Sequence, residues 1–359
     1  MARIVTGMSG GVDSSLTAAL LAEQGHEVVG VTMKLWPCAE LDGGFTRSDA
    51  CCSPSETIDA RSVARGLRVP HYVLDAEDEF RARVVDVFVA AYARGETPNP
   101  CVRCNEHIKF GVLWRHAESL GAEAVATGHY ARTAEAFDRR LLRRSVDRDK
   151  DQTYFLFSLT QDQLTRAQFP VGHMTKDEVR AAARARNLTT ADKHESQDIC
   201  FVGQDVTTFL RERIPTAFVP GDIRHVDGTR LGDHAGLAAF TLGQRKGLGV
   251  AWREPLFVVR LDQAANTVWL GPREALLTST LPLRECTWHL GPLPAGGLDC
   301  RVRLRHRGTP VPARILPDAH DPRAASVTFP TPVQRTATGQ ACVAYDDADE
   351  HCLGGGWVG

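Results

Sequence analysis

Apolar positions in the first two hundred residues switch repeatedly between two periods. ARIVTG is a short, nearly continuous apolar run of the kind a buried strand makes, and SSLTAALLAEQG follows with Leu16, Ala19, Leu20 and Glu23 at helical spacing. Gly25 then stands where a helix C-cap belongs. EVVGVTMK repeats the strand pattern and SETIDARSVARGL the helical one, with Ser55 as its expected N-cap. PHYVLDAE and AEAVATGH add strands, helices are expected near 78–94 and 106–120, and TKDEVRAAARARNL (175–188) closes the series as an Ala-rich helix. This alternation predicts an α/β fold, a Rossmann-like parallel sheet covered by helices on both faces.

After about residue 215 the texture changes, with frequent Gly and Pro and short alternating runs. RHVDGTRLG and VVRLDQAANTVWLG read as hairpins, the first turning at Asp227-Gly228. RECTWHL, DCRVRLRH, VPARILPD, AASVTFP and QACVAYDD are strand candidates spaced by turn residues, as in a small β-barrel or sandwich. The expected organisation is a catalytic domain over 1–205, a small central β-rich domain over 206–280 and a C-terminal β-barrel over 281–359.

The 359 residues carry 42 Lys and Arg against 44 Asp and Glu, a formal charge of −2. That excludes a uniformly basic coat protein while leaving room for a local basic patch. No stretch approaches 18 uninterrupted apolar residues, and the N-terminus lacks the apolar core of a signal peptide, so no membrane span and a cytoplasmic location are expected. In a reducing compartment the ten cysteines would be free, metal-bound or catalytic.

SGGVDSS (9–15) lies between a predicted strand and a predicted helix. Gly10 and Gly11 can take backbone angles closed to other residues, and their N–H groups, with the hydroxyls of Ser9, Ser14 and Ser15, can face an anion at the helix N-terminus. A serine-capped turn without a ligand is the alternative. The string is neither GxxxxGK[ST] nor GxGxxG, and it has no lysine for a γ-phosphate, whereas Asp13 is a candidate Mg²⁺ ligand. It closely resembles the pyrophosphate loop of N-type ATP pyrophosphatases, which cleave ATP between the α- and β-phosphates and adenylate an oxygen. That resemblance implies ATP binding by Gly7, Met8, Ser9, Gly10, Gly11, Val12, Asp13 and Ser14. Met33, at a strand end, would reach the adenine or else belong to the core, and Gly128 in ATGHY has the close backbone approach expected beside a nucleotide.

In TPNPCVRCNEHIKF (97–110), Pro98 and Pro100 predict an extended loop, with a helix starting at Asn105 or Glu106. Cys104 would then sit near a helix N-terminus beside Arg103, a setting that favours thiolate. The Cys101–Cys104 pair has three readings: half a zinc site, a thioredoxin-like dithiol, or a nucleophilic or resolving Cys104. No second CxxC exists, and Cys51-Cys52 is a poor substitute, so the last reading is favoured. Cys200, between Ile199 and Phe201, reads in isolation as a small core residue. Beside an ATP-activating loop it becomes a candidate sulfur carrier, with a second thiol to resolve it.

SGGVDSS, TPNPxxxCNxxIKF, ATGHY, KDQTYFLF, FPVG, SQDICFVG, LGQRKGLG, TGQACVAYDD and CLGGG occur in this order along nearly the whole chain. The ordered set resembles the bacterial tRNA-specific 2-thiouridylase family, tRNA-uridine 2-sulfurtransferases that replace the 2-oxygen of the wobble uridine in tRNAs for Lys, Glu and Gln. The resemblance implies Cys104 as nucleophile and Cys200 as bearer of the persulfide sulfur, the two closing to a transient disulfide. It implies ATP and Mg²⁺, a tRNA partner, a cysteine desulfurase acting directly or through sulfur-relay proteins, and a monomer. It places Lys150, Asp151, Gln152, Arg305 and His306 on tRNA, with Asn99, Pro100, Cys101, His129 and Gln340 at the target base. Many family members carry Asp where this chain has Cys101, which leaves a rival thiol three residues from Cys104.

Physically, Arg139, Arg140, Arg143, Arg144 and Arg148 could line a phosphate track. Arg301, Arg303, Arg305 and Arg307 alternate, so a continuing strand would have one cationic face, and His306, of opposite parity, calls for a bend at Gly308. Gln244, Arg245 and Lys246 form a glycine-flanked basic loop for RNA or domain docking. Two other classes make different demands: an amine-joining synthetase with the same loop needs neither cysteine, and an RNA-binding protein stapled by metal consumes no ATP.

Overall fold

The computed structural model describes residues 1–36, 54–136, 138–194, 199–203 and 205–359. The Cys51-Cys52 pair and residues 195–198 of HESQDICFVG lie outside them. The first part contains β1 (Arg3–Gly7), β2 (Glu27–Lys34), β3 (His71–Asp75), β4 (Ala124–Ala126), a hairpin of β5 (Ala131–Ala136) and β6 (Arg139–Arg144), and the short β7 (Ala167–Gln168). Five of these make an all-parallel sheet in the order β3-β2-β1-β4-β7.

Strand alternation divides the apolar residues between two cores. Ile4, Val28 and Ala124 face Leu16, Ala60, Val63, Val179 and Ala183 from the helices Val12–Glu23, Pro54–Gly66 and Lys176–Ala185. Val5, Val29, Val31 and Val125 face the other way, onto Phe110, Leu113 and Ala117. Gly25 ends the first helix at φ +81, donating to Ala22 O, as its position predicts. Ser55 is not an N-cap, because its helix already starts at Pro54. The cysteine-bearing helix also starts earlier than expected. It runs continuously over 100–119, with Pro100 supplying the first helical position and π-type hydrogen bonding over Cys104–Val112.

The central region pairs β8 (Gly221–His225), β9 (Arg230–His234), β10 (Phe257–Asp262) and β11 (Thr267–Gly271) in the order β10-β11-β8-β9. Both predicted hairpins are present, and Gly228 takes φ +96 in the first turn. The last region contains β12 (Leu277–Trp288), β13 (Leu298–Arg303), β14 (Val311–Pro317), β15 (Ala325–Gln334), β16 (Ala341–Tyr345) and β17 (His351–Val358). Their order β12-β15-β14-β13-β16-β17 closes through a β12–β17 pairing, which makes a six-stranded barrel.

β17 is HCLGGGWV, which includes the CLGGG motif. In the barrel its glycines permit close approach: a Cβ on Gly354 would overlap the Thr287 carbonyl, and one on Gly356 would lie 2.6 Å from Cys286 Sγ. The β5–β6 hairpin, read only as a basic stretch, extends the barrel sheet by pairing Arg143 and Leu142 with His351 and Cys352. The barrel's Val343, Tyr345, Cys352 and Trp357 accordingly share one core with Val5, Val125 and Phe157 of the first part.

FPVG acquires a physical reason here. Gly172 lies against the start of β5, where a Cβ would overlap the carbonyl of Ala131, and its own carbonyl accepts from Val146 N–H at 3.1 Å. Gly172→Ala should therefore cost about 3 kcal/mol through overpacking. Urea unfolding would read this as a lowered midpoint, and an unchanged midpoint would show that the hairpin can retreat.

Candidate functional site

In the order β3-β2-β1-β4-β7, the crevice beyond the carboxyl ends of β1 and β4 lies where the connections reverse direction, the usual ligand position in an open α/β sheet. SGGVDSS leaves β1 there. Gly10 has φ +78, and a Cβ on it would overlap the Glu56 carbonyl. Gly11 is the N-cap of the helix Val12–Glu23, and no side chain caps that first turn. The positive helix end therefore faces the crevice. Ser14 Oγ accepts from Ser9 N–H at 3.2 Å and lies 3.3 Å from Ser9 Oγ, so the two hydroxyls stand together.

A cavity of about 140 Å³ opens beside the loop. Its walls include Gly7, Met8, Ser9, Ser14, Met33, Gly128 and His129, gathered from three strand ends. A glycine-lined pocket against a helix N-terminus fits a nucleotide phosphate in shape and charge. Gly128 is glycine for a different reason than expected: its Cβ would meet the loop itself, 2.7 Å from Ser14 N. Met33 lines the cavity and packs against the apolar clusters on either side.

The expected Mg²⁺ ligand is already engaged. Asp13 accepts from Lys176 Nζ at 2.8 and 2.9 Å and from Tyr130 Oη at 2.8 Å, so an ammonium faces this carboxylate. Lys193 Nζ reaches Gly10 O at 3.3 Å and pairs with Glu56 at 2.7 Å. Lys109 Nζ stands 3.4 Å from His129 Nε2 on the cavity wall. Sequence reasoning missed all three lysines. The available signal was rarity, since only six of the 42 basic residues are Lys and three of those six gather here.

Burial, reinforced by the Lys109 charge, holds the His129 pKa well below its ordinary value, so the imidazole is neutral. An ammonium has no lone pair to offer, so Nε2 must accept from Lys109 and Nδ1 must carry the proton, donating to Thr127 Oγ1 at 2.8 Å.

Cys101 is exposed in the first turn of the 100–119 helix, whereas Cys104 is half-buried one turn further on. Cys104 is thus not at the helix end. Arg103, the expected source of charge beside it, bonds Glu285 at 2.7 Å and Glu106 at 3.4 Å and lies 4.3 Å over the Trp357 ring. Cys104 and Cys200 nonetheless pack against one cluster, which contains Leu35, Phe80, Phe88, Ile108 and Phe201. Leu35 and Met33 belong to that neighbourhood and also line the cavity. Among the described residues no three His, Cys, Asp or Glu gather as a metal site.

The residues expected on tRNA divide into positioning and accessible groups. Asp151 is buried, accepting from Arg144 Nε at 3.2 Å, Ser145 N–H at 2.9 Å and Thr153 Oγ1 at 2.8 Å. These three bonds hold its side chain inward. His306 Nε2 bonds Asp151 O at 2.9 Å, and its ring lies 4.3 Å from Phe155. Gln152 Oε1 accepts from Tyr130 N–H at 2.8 Å, beside His129. Gln340 Nε2 donates to Thr97 O at 2.7 Å, which fixes the loop carrying Asn99 and the buried Pro100. Lys150 is half-buried and Arg305 exposed.

The phosphate track does not form as expected. Arg144 meets Asp151 and Asp349, Arg143 and Arg148 meet Glu350, and Arg140 meets Glu135. Nor is there a cationic strand face through Arg307, because β13 ends at Arg303, which is bound to Asp349. The bend precedes Gly308, whose N–H closes the turn onto Arg305 O at 3.0 Å. Thr241, the residue before LGQRKGLG, has its Oγ1 3.4 Å from Thr97 Oγ1, so a contact to the first part adjoins that segment.

Replacing Lys109 with Met removes the lesser cause of the His129 shift. The pKa should rise toward the ordinary histidine value and stay below it, because burial persists. An NMR titration of labelled histidine would check this, and an unmoved resonance would show that Lys109 does not act on the ring.

With this geometry, the chain was compared with known proteins. Residues 2–204 match the tRNA methyl transferase HUP domain family, 207–272 the tRNA methyl transferase PRC-barrel domain and 278–358 the aminomethyltransferase beta-barrel domain. The tRNA-specific 2-thiouridylase MnmA of Caulobacter sp. (strain K31) is 46% identical over 369 residues, covering 99% of this chain and 89% of that one. Those of Caulobacter vibrioides and Geotalea uraniireducens are 47% and 46% identical, each covering 99% of this chain and 94% of theirs. A 4-thiouridine synthetase–RNA complex with bound ATP aligns at a TM-score of 0.36 and 18% identity, over 60% of this chain and 50% of that one, too distant to bear on the reading. Near-full-length identity of this order, on a glycine loop, a cysteine-bearing helix and a closed barrel in that sequence, means that the chain belongs to the tRNA-specific 2-thiouridylase family.

Proposed function

We propose that this protein is a tRNA-uridine 2-sulfurtransferase that makes 2-thiouridine at the wobble position of tRNAs for Lys, Glu and Gln. The observation that carries the reading is the sharing of Met33 and Leu35. Both line the cavity beside the glycine loop, and both belong to the apolar neighbourhood of Cys104 and Cys200. Adenylation and sulfur chemistry thus meet across two side chains.

ATP lies with its phosphates on Ser9, Gly10, Gly11 and the N-terminus of the following helix, and its base near Met33. Gly7, Met8, Val12, Asp13, Ser14 and Gly128 complete the seat. Bound with ATP, Mg²⁺ would neutralise the phosphate charge, and Asp13, which pairs with Lys176, is the residue that would help hold it. The uridine is flipped in between His129 and the helix start at Asn99, Pro100 and Cys101. Its 2-oxygen attacks the α-phosphate, and pyrophosphate leaves. The terminal sulfur of the Cys200 persulfide then reaches C2, directly or as hydrosulfide released by Cys104, and AMP leaves with the oxygen. Both routes end in a Cys104–Cys200 disulfide. Neutral His129 presents no charge to the base, and Lys109 is its cationic neighbour.

The 1–205 part performs the chemistry, the 281–359 barrel helps hold the tRNA through Arg305 and His306, and the 206–280 part docks on the loop at Thr97. Lys150 and Gln152 complete the tRNA side, with Gln152 acting through the Tyr130 backbone and Gln340 through Thr97. A cysteine desulfurase, directly or through sulfur-relay proteins, reloads Cys200, and the enzyme works as a monomer in the cytoplasm. No helix among the described residues is long and apolar enough to cross a membrane.

Nucleoside mass spectrometry on unmodified tRNA incubated with protein, ATP, Mg²⁺, cysteine and a cysteine desulfurase tests the reading. Wild type should yield 2-thiouridine and AMP, with Cys104→Ser and Cys200→Ser falling to background. AMP without 2-thiouridine would show that another oxygen is activated and would sink the proposal.

A further inference from the structure

We propose that Cys101 is a third thiol of the sulfur-transfer cycle, one that moves the oxidising equivalent from the interior to the surface. This rests on the sulfurtransferase reading above. After turnover the Cys101 thiolate attacks Cys104 in the Cys104–Cys200 disulfide. A Cys101–Cys104 bond forms, the Cys104–Cys200 bond breaks, and Cys200 departs as thiolate, ready for a new sulfur. The exchange conserves one disulfide and needs no oxidant. A dithiol reductant then supplies two electrons and two protons to restore both thiols of the helix.

Three observations support this. Cys101 and Cys104 lie three residues apart on one continuous helix, and the Cys104 N–H bonds back to Cys101 O, so the turn between them is formed. Side chains at this spacing share a helix face, with Cβ atoms about 5–6 Å apart. A disulfide needs about 3.8 Å, so a modest tightening of the first turn suffices. That turn is well suited to adjust, because Asn99 makes no side-chain cap and Pro100 has no N–H to lose.

The second observation is the difference in access. Cys104 and Cys200 are both half-buried against the Phe80–Phe88–Phe201 cluster, whereas Cys101 is exposed. Thiol–disulfide exchange requires approach of the attacking sulfur to the disulfide, and a bond packed on aromatic rings offers a soluble dithiol little approach. A bond that includes Cys101 can be reached from solvent. The third is electrostatic: a first-turn sulfur faces the positive helix end, which stabilises negative charge on an attacking group.

The experiment follows connectivity in the full chain. Protein loaded with one persulfide sulfur is taken through a single turnover with ATP and tRNA without reductant, then quenched, alkylated and mapped by non-reducing peptide mass spectrometry. Wild type should show Cys101–Cys104 and an alkylated Cys200, in at least about tenfold excess over Cys104–Cys200, a ratio equivalent to about 1.4 kcal/mol. Cys101→Ser should show Cys104–Cys200. Finding Cys104–Cys200 as the main bond in wild type would overturn the proposal, whatever the fate of the variant. Absence of 2-thiouridine in the same samples would instead count against the sulfurtransferase reading. In that event oxidation of the full chain by hydroxyethyl disulfide, without tRNA, decides the exchange alone: a dominant Cys101–Cys104 bond upholds it and a dominant Cys104–Cys200 bond refutes it.

Discussion

The buried carboxylate of Asp151 is the constraint on which the site's geometry depends. An ionised group out of water is tolerated only when its lone pairs are met, and here Arg144, the Ser145 N–H and the Thr153 hydroxyl meet them. The backbone carbonyl of the same residue receives His306 from the barrel. The next residue, Gln152, bonds the Tyr130 backbone beside His129, and Phe155 O accepts from buried Asn105 on the cysteine helix at 2.9 Å. One short segment thereby sets the positions of the histidine, the thiols and the barrel. Removing the Asp151 charge would leave Arg144 buried with one carboxylate fewer, and a broken buried pair costs about 3–5 kcal/mol.

Charge is spent in the same way along the whole seam between the first part and the barrel. Arginines that look like an RNA-binding track when read in a row are paired with Asp349 and Glu350 from the β16–β17 connection. A bidentate, permanently charged guanidinium suits that structural work. The lysines are placed differently, at the glycine loop and at His129, where a compact ammonium can meet a carboxylate or carbonyl.

The thiols are sorted by environment. Burial pushes Cys286, Cys300 and Cys352 up to about 12, and Cys342 is raised by burial and its neighbouring thiols. Such groups stay protonated and serve as small apolar residues, Cys286, Cys300 and Cys342 in the barrel core and Cys352 in the core that the barrel shares with the first part. Cys101, Cys104 and Cys200 lie outside those cores, at the helix and cluster beside the cavity.

Local pattern alone determined the parallel sheet, its helices, the glycine loop and the hairpins, because each depends on periodicity or turn chemistry within a dozen residues. The ordered motifs also carried the family and the candidate cysteines. Contacts distant in sequence decided the rest. HCLGGGWV is a strand only because two neighbouring strands require glycine's lack of a side chain. Arg143, Arg144 and Arg148 are structural because Asp349 and Glu350 fold back onto them. The helix start at Pro100, with Cys101 in its first turn, follows from Thr97 and the Glu96 side chain being held by Gln340 and Arg284 of the barrel. Asp13 meets Lys176 across 163 positions of chain. Periodicity reports which face of an element is apolar; which charges and thiols meet is decided only when those faces pack.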